Sequence, residues 1–342
     1  MLKKGLRAAT AHVYHASGYL DRQLMGKVAI LMYHRVLTGH DLQGTFVQPG
    51  MYVHADVFEQ QMTFLRRHFE IISFADFLGM LNERKWRQDK RYCIVTFDDG
   101  WRDNYLHAFP TLRKMNIPAT IFLPAMMINT NKRFWSDTLG VLLYHHYARD
   151  IRHERRRSLR DIVDRYPIIS ESSGSSIPER IETVIHWFKN CDESEIEDLI
   201  DRLSGFLGIP PGGERAFLNW NEIEEMSNYG ISFGSHACSH RILTRMDVRD
   251  AWREIQDSYA ALREHDLDLV PVFCYPNGNW SADIAELVKR AGYQAAVSTQ
   301  FGWEEEYPRD MFALKRIGLH NDISHSQSLL SFHLSGLVQR VL

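Results

Sequence analysis

The residues best suited to hydrolytic chemistry are two adjacent carboxylates, Asp98 and Asp99, which end the apolar run Val95–Phe97 and precede Gly100. Along a regular strand they would face opposite ways, but a turn at Gly100 could bring both over one strand end. One carboxylate could then bind a metal ion while the other acts as a base. An Asp-Asp-Gly turn without chemistry is the alternative, so the motif needs support from elsewhere.

Two histidines, His236 and His240, follow another short apolar run and lie four positions apart. On a helical turn such residues share one face, so the spacing predicts two imidazoles that can grip one ion. Cys238 would point away from both and pack. One carboxylate and two imidazoles leave a fourth position for water, the ligand count of a hydrolytic zinc site. A bound divalent ion lowers the pKa of such water towards about 7.

The elements that must position these residues alternate between short apolar strands and amphipathic helices, which is typical of α/β folds. Eight strands are predicted: Val28–Met32, Glu70–Ser73, Cys93–Phe97, Thr120–Leu123, Ile231–Gly234, Val272–Tyr275, Ala295–Ser298 and Leu314–Ile317. Three helices are predicted between them: Asp56–His68, Ala251–Leu262 and Asp283–Ala291. Seven or eight parallel strands predict a closed barrel with an outer layer of helices, and barrels place function at strand ends.

The rhythm of strands is interrupted between residues 134 and 217, where only helical patterns occur. Capping signals at Ser176 and Asp192 predict two helices there, and Glu171–Ser176 predicts a flexible link. We therefore predict four parts: an N-terminal extension over 1–27, a barrel over 28–133 and 218–324, a helical insertion over 134–217 and a C-terminal helix over 325–342.

The composition and the net charge argue against several classes of protein. The 342 residues carry 40 basic and 43 acidic side chains, a net charge of -3, and 44% of them are apolar. These values predict a soluble globular protein and argue against nucleic acid as a partner. The four cysteines form no C-x-x-C pair, so we expect reduced thiols rather than a zinc ribbon or a disulfide framework.

Targeting signals are weak. Charged or polar residues interrupt the apolar stretches of the first 24 residues, so we expect no cleaved signal, no transmembrane segment and a cytoplasmic location. Five spaced apolar residues indicate an amphipathic helix: Leu2, Leu6, Val13, Leu20 and Leu24. We expect this helix to dock on the protein body, with contact to a membrane surface as the alternative.

Thr96–Gly100 followed by Ser235-His236-x-x-x-His240 resembles the first two motifs of the polysaccharide deacetylase family, also called the NodB homology domain or carbohydrate esterase family four. Three further segments resemble stretches common in that family: Leu31–Val36, Trp220–Ile223 and Phe273–Gly278. The resemblance covers about residues 28–135 and 218–320. It implies a deformed (β/α) barrel, in agreement with the strand pattern.

Carried onto these motifs, the resemblance implies that Asp98 is the catalytic base. It also implies that Asp99, His236 and His240 hold one divalent ion, with Zn²⁺ expected ahead of Co²⁺, Ni²⁺ or Mn²⁺. Hydrolysis of an N-acetyl amide needs an activated water, a base, a Lewis acid and donors for a tetrahedral oxyanion. The backbone N–H of Asn277 matches the oxyanion donor of the third motif, and a simple β-turn is the alternative.

Some positions depart from the family pattern. Cys274 stands where the family often carries an arginine that orients the base, and Arg316 could approach from another strand to replace it. Leu319-His320 could match the last motif, whose histidine is the general acid, although a solvated loop histidine is the alternative. Tyr275, beside Asn277, and His34 are candidate substrate contacts, and a packed Tyr-His pair is the alternative for His34.

These residues predict a metal-dependent hydrolase that removes N-acetyl groups from N-acetylated sugars of a polysaccharide, oligosaccharide or lipid-linked glycan. Without a signal sequence, a cytoplasmic biosynthetic intermediate is the favoured substrate. A deformylase or amidase acting on a small nucleotide- or lipid-linked sugar could use the same site. A non-catalytic carbohydrate-binding barrel is a third reading, but such a barrel has no need to keep the acidic and histidine motifs together.

Overall fold

The strands form a closed parallel barrel in the computed structural model, which describes residues 2–148, 156–171, 176–265 and 267–337. The strands are β1 (Val28–Tyr33), β2 (Arg35–Leu37), β3 (Tyr52–His54), β4 (Glu70–Ile71), β5 (Tyr92–Phe97), β6 (Ala119–Leu123), β7 (Ile231–Ser235), β8 (Leu269–Cys274), β9 (Ala295–Phe301) and β10 (Leu314–Gly318). Around the barrel the order is β1, β10, β9, β8, β7, β6 and β5, and β5 pairs with β1 to close it. β4 is an eighth strand that pairs with the start of β5. The predicted parallel barrel is confirmed.

Helices occupy most of the connections. They are α1 (Leu2–Ala16), α2 (Tyr19–Gln23), α3 (Ala55–His68), α4 (Phe74–Asn82), α5 (Phe109–Met115), α6 (Trp135–Ala148), α7 (Arg156–Arg165), α8 (Ile168–Glu171), α9 (Ile177–Phe188), α10 (Glu193–Leu207), α11 (Trp220–Ser227), α12 (Val248–Arg263), α13 (Ala282–Arg290), α14 (Asn321–Ser324) and α15 (Gln327–Leu334). A π-helical turn, Asn104–Ala108, precedes α5. The three helices predicted between strands are present as α3, α12 and α13, and capping boxes at Ser176 and Asp192 begin α9 and α10.

The barrel strands are apolar because both of their faces are covered, and β5, β6 and β7 are buried along their whole length. Pairing in register aligns their carboxyl ends, with Tyr33 opposite Phe97 and Leu123 opposite Ser235. This alignment brings the segments that follow β1, β5 and β7 to one end of the barrel. The sequence gives no comparable signal for β2 and β3, a short parallel pair that it does not predict.

The chain divides into two compact units. One comprises the chain up to Leu37, Tyr52–Thr130 and the chain from Phe217 onward. The other comprises Thr38–Met51 and Asn131–Ala216, and its core is formed by α6 to α10 with Phe46. Parts of the predicted insertion over 134–217, of the linker Glu171–Ser176 and of the C-terminal helix over 325–342 lie outside the described residues.

The N-terminal extension packs on the C-terminal helix. The Tyr14 ring in α1 lies edge-on to Phe332 in α15 at 5.8 Å, and the Gln23 side chain donates to the carbonyl of Ser335 at 2.6 Å. Within the described ranges, no helix combines the length and the apolar character needed to cross a bilayer.

Candidate active site

The two carboxylates of the acidic motif sit on a turn directly after β5. Both are buried, and the Asp98 N–H donates to the carbonyl of Tyr33, which continues the pairing with β1. Asp99 and Gly100 then take left-handed conformations, with φ of 74° and 65°. Glycine adopts this conformation without strain, and a Cβ atom at Gly100 would also lie 2.7 Å from the Leu123 side chain, so the turn favours glycine. This turn separates the environments of the two carboxylates.

Arg316, on β10, binds the carboxylate of Asp98 with both arms of its guanidinium. The Nη1–Oδ1 and Nη2–Oδ2 distances are 2.7 Å, and Nε donates to the carbonyl of Ser298. The arginine is 1% exposed. Burial tends to raise the pKa of Asp98, but the charge and hydrogen bonds of Arg316 hold that pKa below its usual value. Asp98 is therefore an ionised, orientated carboxylate.

His236 and His240 approach the other carboxylate from the segment after β7. Their Nε2 atoms lie 3.4 and 3.2 Å from Oδ1 of Asp99. The helical turn expected for this pair is wrong: the segment is a bend in which Ala237 and His240 have φ of 62° and 64°. The tertiary fold, rather than helical periodicity, brings the two imidazoles together.

Two contacts hold this histidine segment in place. The His236 Nδ1 atom lies 2.8 Å from the carbonyl of Cys274 and donates its proton to it, which directs Nε2 towards Asp99. The Glu254 carboxylate, on α12, accepts hydrogen bonds from the N–H groups of Cys238 and Ser239 and from the Ser239 hydroxyl. Cys238 is buried beside this contact and is not among the ligand atoms that face Asp99.

Asp99, His236 and His240 form a donor set that fits a divalent ion. Their ligand atoms all lie within 4.8 Å of one another, and one carboxylate with two imidazoles suits zinc and similar metals. Burial tends to raise the pKa of Asp99, but the two histidines outweigh it and hold that pKa well below its usual value. An ionised carboxylate is the form that binds metal.

A second group, Asp98, His236 and Cys274, has equally close ligand atoms. It is less suited to an ion because both Asp98 oxygens already accept from Arg316. The guanidinium also lies 3.3 Å from the sulfur of Cys274, and burial raises the pKa of that thiol. Cys274 thus lines the space that Arg316 occupies.

The remaining predicted residues differ in their surroundings. His34 Nε2 is 3.9 Å from Oδ2 of Asp98. Asn277 is exposed on the turn after β8 with φ of 56°. Tyr275 is buried, and its hydroxyl donates to the carbonyl of Phe312, so Tyr275 lies in the barrel wall.

His320, the candidate general acid, is the N-cap residue of α14, and its Nδ1 lies 3.4 Å from Asp322. Burial lowers the pKa of His320.

Sequence reasoning missed the side chains that support the centre. Trp101 donates its indole N–H to Oδ2 of Asp99 at 2.9 Å, and Arg35 covers the indole ring. Glu254 is separated from the histidine segment by 14 or more positions, and no local pattern connects it to that segment. For Trp101, the signal available was its place directly after Gly100.

Comparison with known proteins agrees with the geometry. The sequence model of the family described as polysaccharide deacetylase matches residues 85–166 and 184–296, together more than half of the chain. The YxkH protein of Bacillus subtilis (strain 168), whose name assigns it provisionally to the polysaccharide deacetylases, is 21% identical over 311 residues, 91% of this chain and 77% of its own length.

Solved structures share the fold. The deacetylase PplD of Streptococcus pyogenes, described in complex with acetate, has a TM-score of 0.57 at 18% identity and covers 89% of this chain and 96% of its own. IcaB from Ammonifex degensii has a TM-score of 0.55 at 17% identity, with coverages of 91% and 97%. Given the family match over more than half of the chain, the chain belongs to the polysaccharide deacetylase family, which supports its assignment as a hydrolase of carbon–nitrogen bonds.

Proposed function

We propose that this protein is a metal-dependent de-N-acetylase of N-acetylated sugars in a polysaccharide, an oligosaccharide or a lipid-linked glycan. One observation carries the proposal: Asp98, fixed and ionised by Arg316, stands next to the donor set of Asp99, His236 and His240. A base beside a three-ligand centre is what amide hydrolysis by water requires. The names of the related proteins, which refer to deacetylases, support the same reaction.

The metal partners in this proposal are Asp99, His236 and His240. A divalent ion bound there, Zn²⁺ by preference and otherwise Co²⁺, Ni²⁺ or Mn²⁺, supplies Lewis acidity that polarises the amide carbonyl and makes water more acidic. The buried position of Asp99 strengthens its attraction for such an ion.

Side chains of the protein transfer the protons of the reaction. Asp98 takes a proton from the attacking water, and Arg316 keeps the carboxylate ionised and fixed in orientation. The backbone N–H of Asn277 donates to the oxyanion of the tetrahedral intermediate. His320 gives a proton to the departing nitrogen, the carbon–nitrogen bond breaks, and acetate and a free amino sugar result. His34, within 4 Å of Asp98, contacts the substrate.

Acetate release from N-acetylglucosamine oligomers and from lipid- or nucleotide-linked N-acetyl sugars tests the proposal. We expect release by the metal-loaded protein, loss of activity after chelation, and recovery with Zn²⁺ or Co²⁺. Asp98→Asn should lower kcat by about 10²–10⁴-fold while the bound metal is retained. Asp283→Asn, an exposed change on α13, is the matched control.

Full activity after verified metal removal would contradict the proposal. Equal activity of wild type and folded Asp98→Asn would contradict the role of the base. Release of formate instead of acetate would favour the deformylase alternative.

A cytoplasmic location is part of the proposal, since the four cysteines are free thiols. This location favours a biosynthetic intermediate over a mature extracellular polymer as the substrate. Fractionation of the source cells tests it, and recovery of the protein outside the cytoplasm would contradict it.

A further inference from the structure

The Asp99 carboxylate divides its two oxygens between different partners. Oδ1 faces the Nε2 atoms of His236 and His240, whereas Oδ2 accepts the indole N–H of Trp101 at 2.9 Å. A carboxylate with one oxygen held in this way offers the other oxygen to an ion. This arrangement therefore determines which oxygen of Asp99 would ligate a metal.

The Trp101 ring is itself held by two close neighbours. One face stacks on Phe217, with ring centroids 4.8 Å apart and 22° between the planes. The Arg35 guanidinium lies over the ring at 4.4 Å. The indole is 2% exposed, and buried indoles place their N–H on a fixed acceptor. The ring therefore has little freedom to turn its N–H away from Asp99.

The guanidinium above the ring is also anchored. Arg35 donates from Nε to Oδ2 of Asp103 at 2.8 Å, and the other oxygen of Asp103 accepts the N–H of Val36. Asp103 is buried, so this ion pair is shielded from solvent. A continuous set of contacts thus leads from β2 through Arg35 to the indole and Asp99.

We propose that Trp101 is a positioning residue that keeps Asp99 a one-oxygen metal ligand. The indole N–H holds Oδ2, so a bound ion receives Oδ1 alone and retains open positions for water and the substrate carbonyl. This inference rests on the proposed function, because it takes Asp99 as a metal ligand. Hydrogen bonds of this kind commonly change metal affinity by about 10–100-fold.

Metal binding provides the test, and it needs no turnover. Zn²⁺ affinity of apoprotein is measured by competition with a chromophoric chelator, and the visible absorption of the Co²⁺-loaded protein reports coordination number. Trp101→Phe, which keeps a ring but lacks the N–H, should lose about 10–100-fold in affinity and change the Co²⁺ spectrum. Trp86→Phe is the matched control, because Trp86 is also buried and donates its N–H to the carbonyl of Gly26.

A second variant tests the same hydrogen bond in case Trp101→Phe does not fold. Replacing Trp101 with β-(3-benzothienyl)alanine puts sulfur in place of the N–H and keeps the shape of the ring, so the same loss is expected in a folded protein. Wild-type affinity together with a wild-type Co²⁺ spectrum in this variant would overturn the inference. If wild type itself binds no divalent ion, the proposed function fails instead.

Discussion

Arg316 and Asp98 form the pair on which the candidate site depends most. Each group is buried, and each compensates the charge of the other, so neither is tolerated alone. The bidentate contact fixes the plane of the carboxylate as well as its charge. Lysine cannot reproduce this geometry, because its ammonium is a single point charge.

Arg316→Leu should destabilise the protein by about 3–5 kcal/mol, because it leaves the Asp98 charge buried without a partner. Urea unfolding monitored by circular dichroism measures the loss. Arg316→Lys should keep part of the stability but lower kcat, since one of the two hydrogen bonds is lost.

The double variant Asp98→Leu with Arg316→Leu distinguishes a buried-charge penalty from lost packing. It should recover much of the stability of Arg316→Leu while remaining inactive. A double variant less stable than Arg316→Leu would show that the single change acts through packing instead.

At the scale of elements, side chains of the outer helices form hydrogen bonds with the segments that carry the site. α12 does so through Glu254, whose carboxylate binds the histidine segment. α3 does so through Gln61, which lies between β1 and α14. The Gln61 side chain accepts from the Tyr33 hydroxyl and donates to the backbone and hydroxyl of Ser324.

Glu254→Ala should weaken Zn²⁺ binding by about tenfold, because two backbone N–H groups lose their acceptor and the histidine segment is released. The expected loss of stability is about 1–3 kcal/mol. Chelator competition and urea unfolding measure the two effects. Glu264→Ala, an exposed change just after α12, should leave both unchanged. Unaltered affinity in Glu254→Ala would show that the segment holds its shape without α12.

Gln61→Leu should cost about 1–3 kcal/mol, because the buried Tyr33 and Ser324 groups lose a partner. The Ser324 hydroxyl donates to the carbonyl of His320, so kcat should also fall if His320 is the acid. Thermal unfolding and acetate release measure these effects. Gln60→Leu is the control, since Gln60 is the exposed neighbour on the same helix. Equal melting temperatures of the two variants would contradict the role of the buried amide.

At the scale of the whole molecule, the buried His333 makes the free energy of unfolding depend on pH. Burial lowers the pKa of His333, on α15, to about 4, and the ring donates from Nε2 to the carbonyl of Gly318. The unfolded chain has the ordinary value of about 6.5 and therefore binds the proton more tightly. The contribution of His333 is fully present above pH 6.5 and is lost as the pH falls towards 4.

Between pH 7.5 and 5, this one group should remove about 2 kcal/mol from the free energy of unfolding. His333→Gln should be less sensitive to acid over that interval than wild type, whereas His186→Gln, at an exposed position, should not differ from it. Urea unfolding at the two pH values measures the difference. The same acid loss in His333→Gln as in wild type would assign the effect to other groups.

The fold class follows from the sequence because a strand buried on both faces must be apolar over several consecutive residues. All eight predicted strands are present, with ends shifted by a few residues. Local signals also place α9 and α10, since a capping box involves residues three apart. β2 and β3 carry no such signal, because each has three residues and gains its stability from its partner.

The sequence likewise predicts some residues of the candidate site and not others. Adjacent or closely spaced residues, Asp98 with Asp99 and His236 with His240, are recognisable in the sequence because the chemistry requires those types near one another. The partners that orient them come from distant strands and helices: Arg316 from β10, Arg35 from β2 and Glu254 from α12. Only the tertiary structure brings these groups to the site, because no local pattern relates Arg316 to Asp98 at a separation of 218 positions.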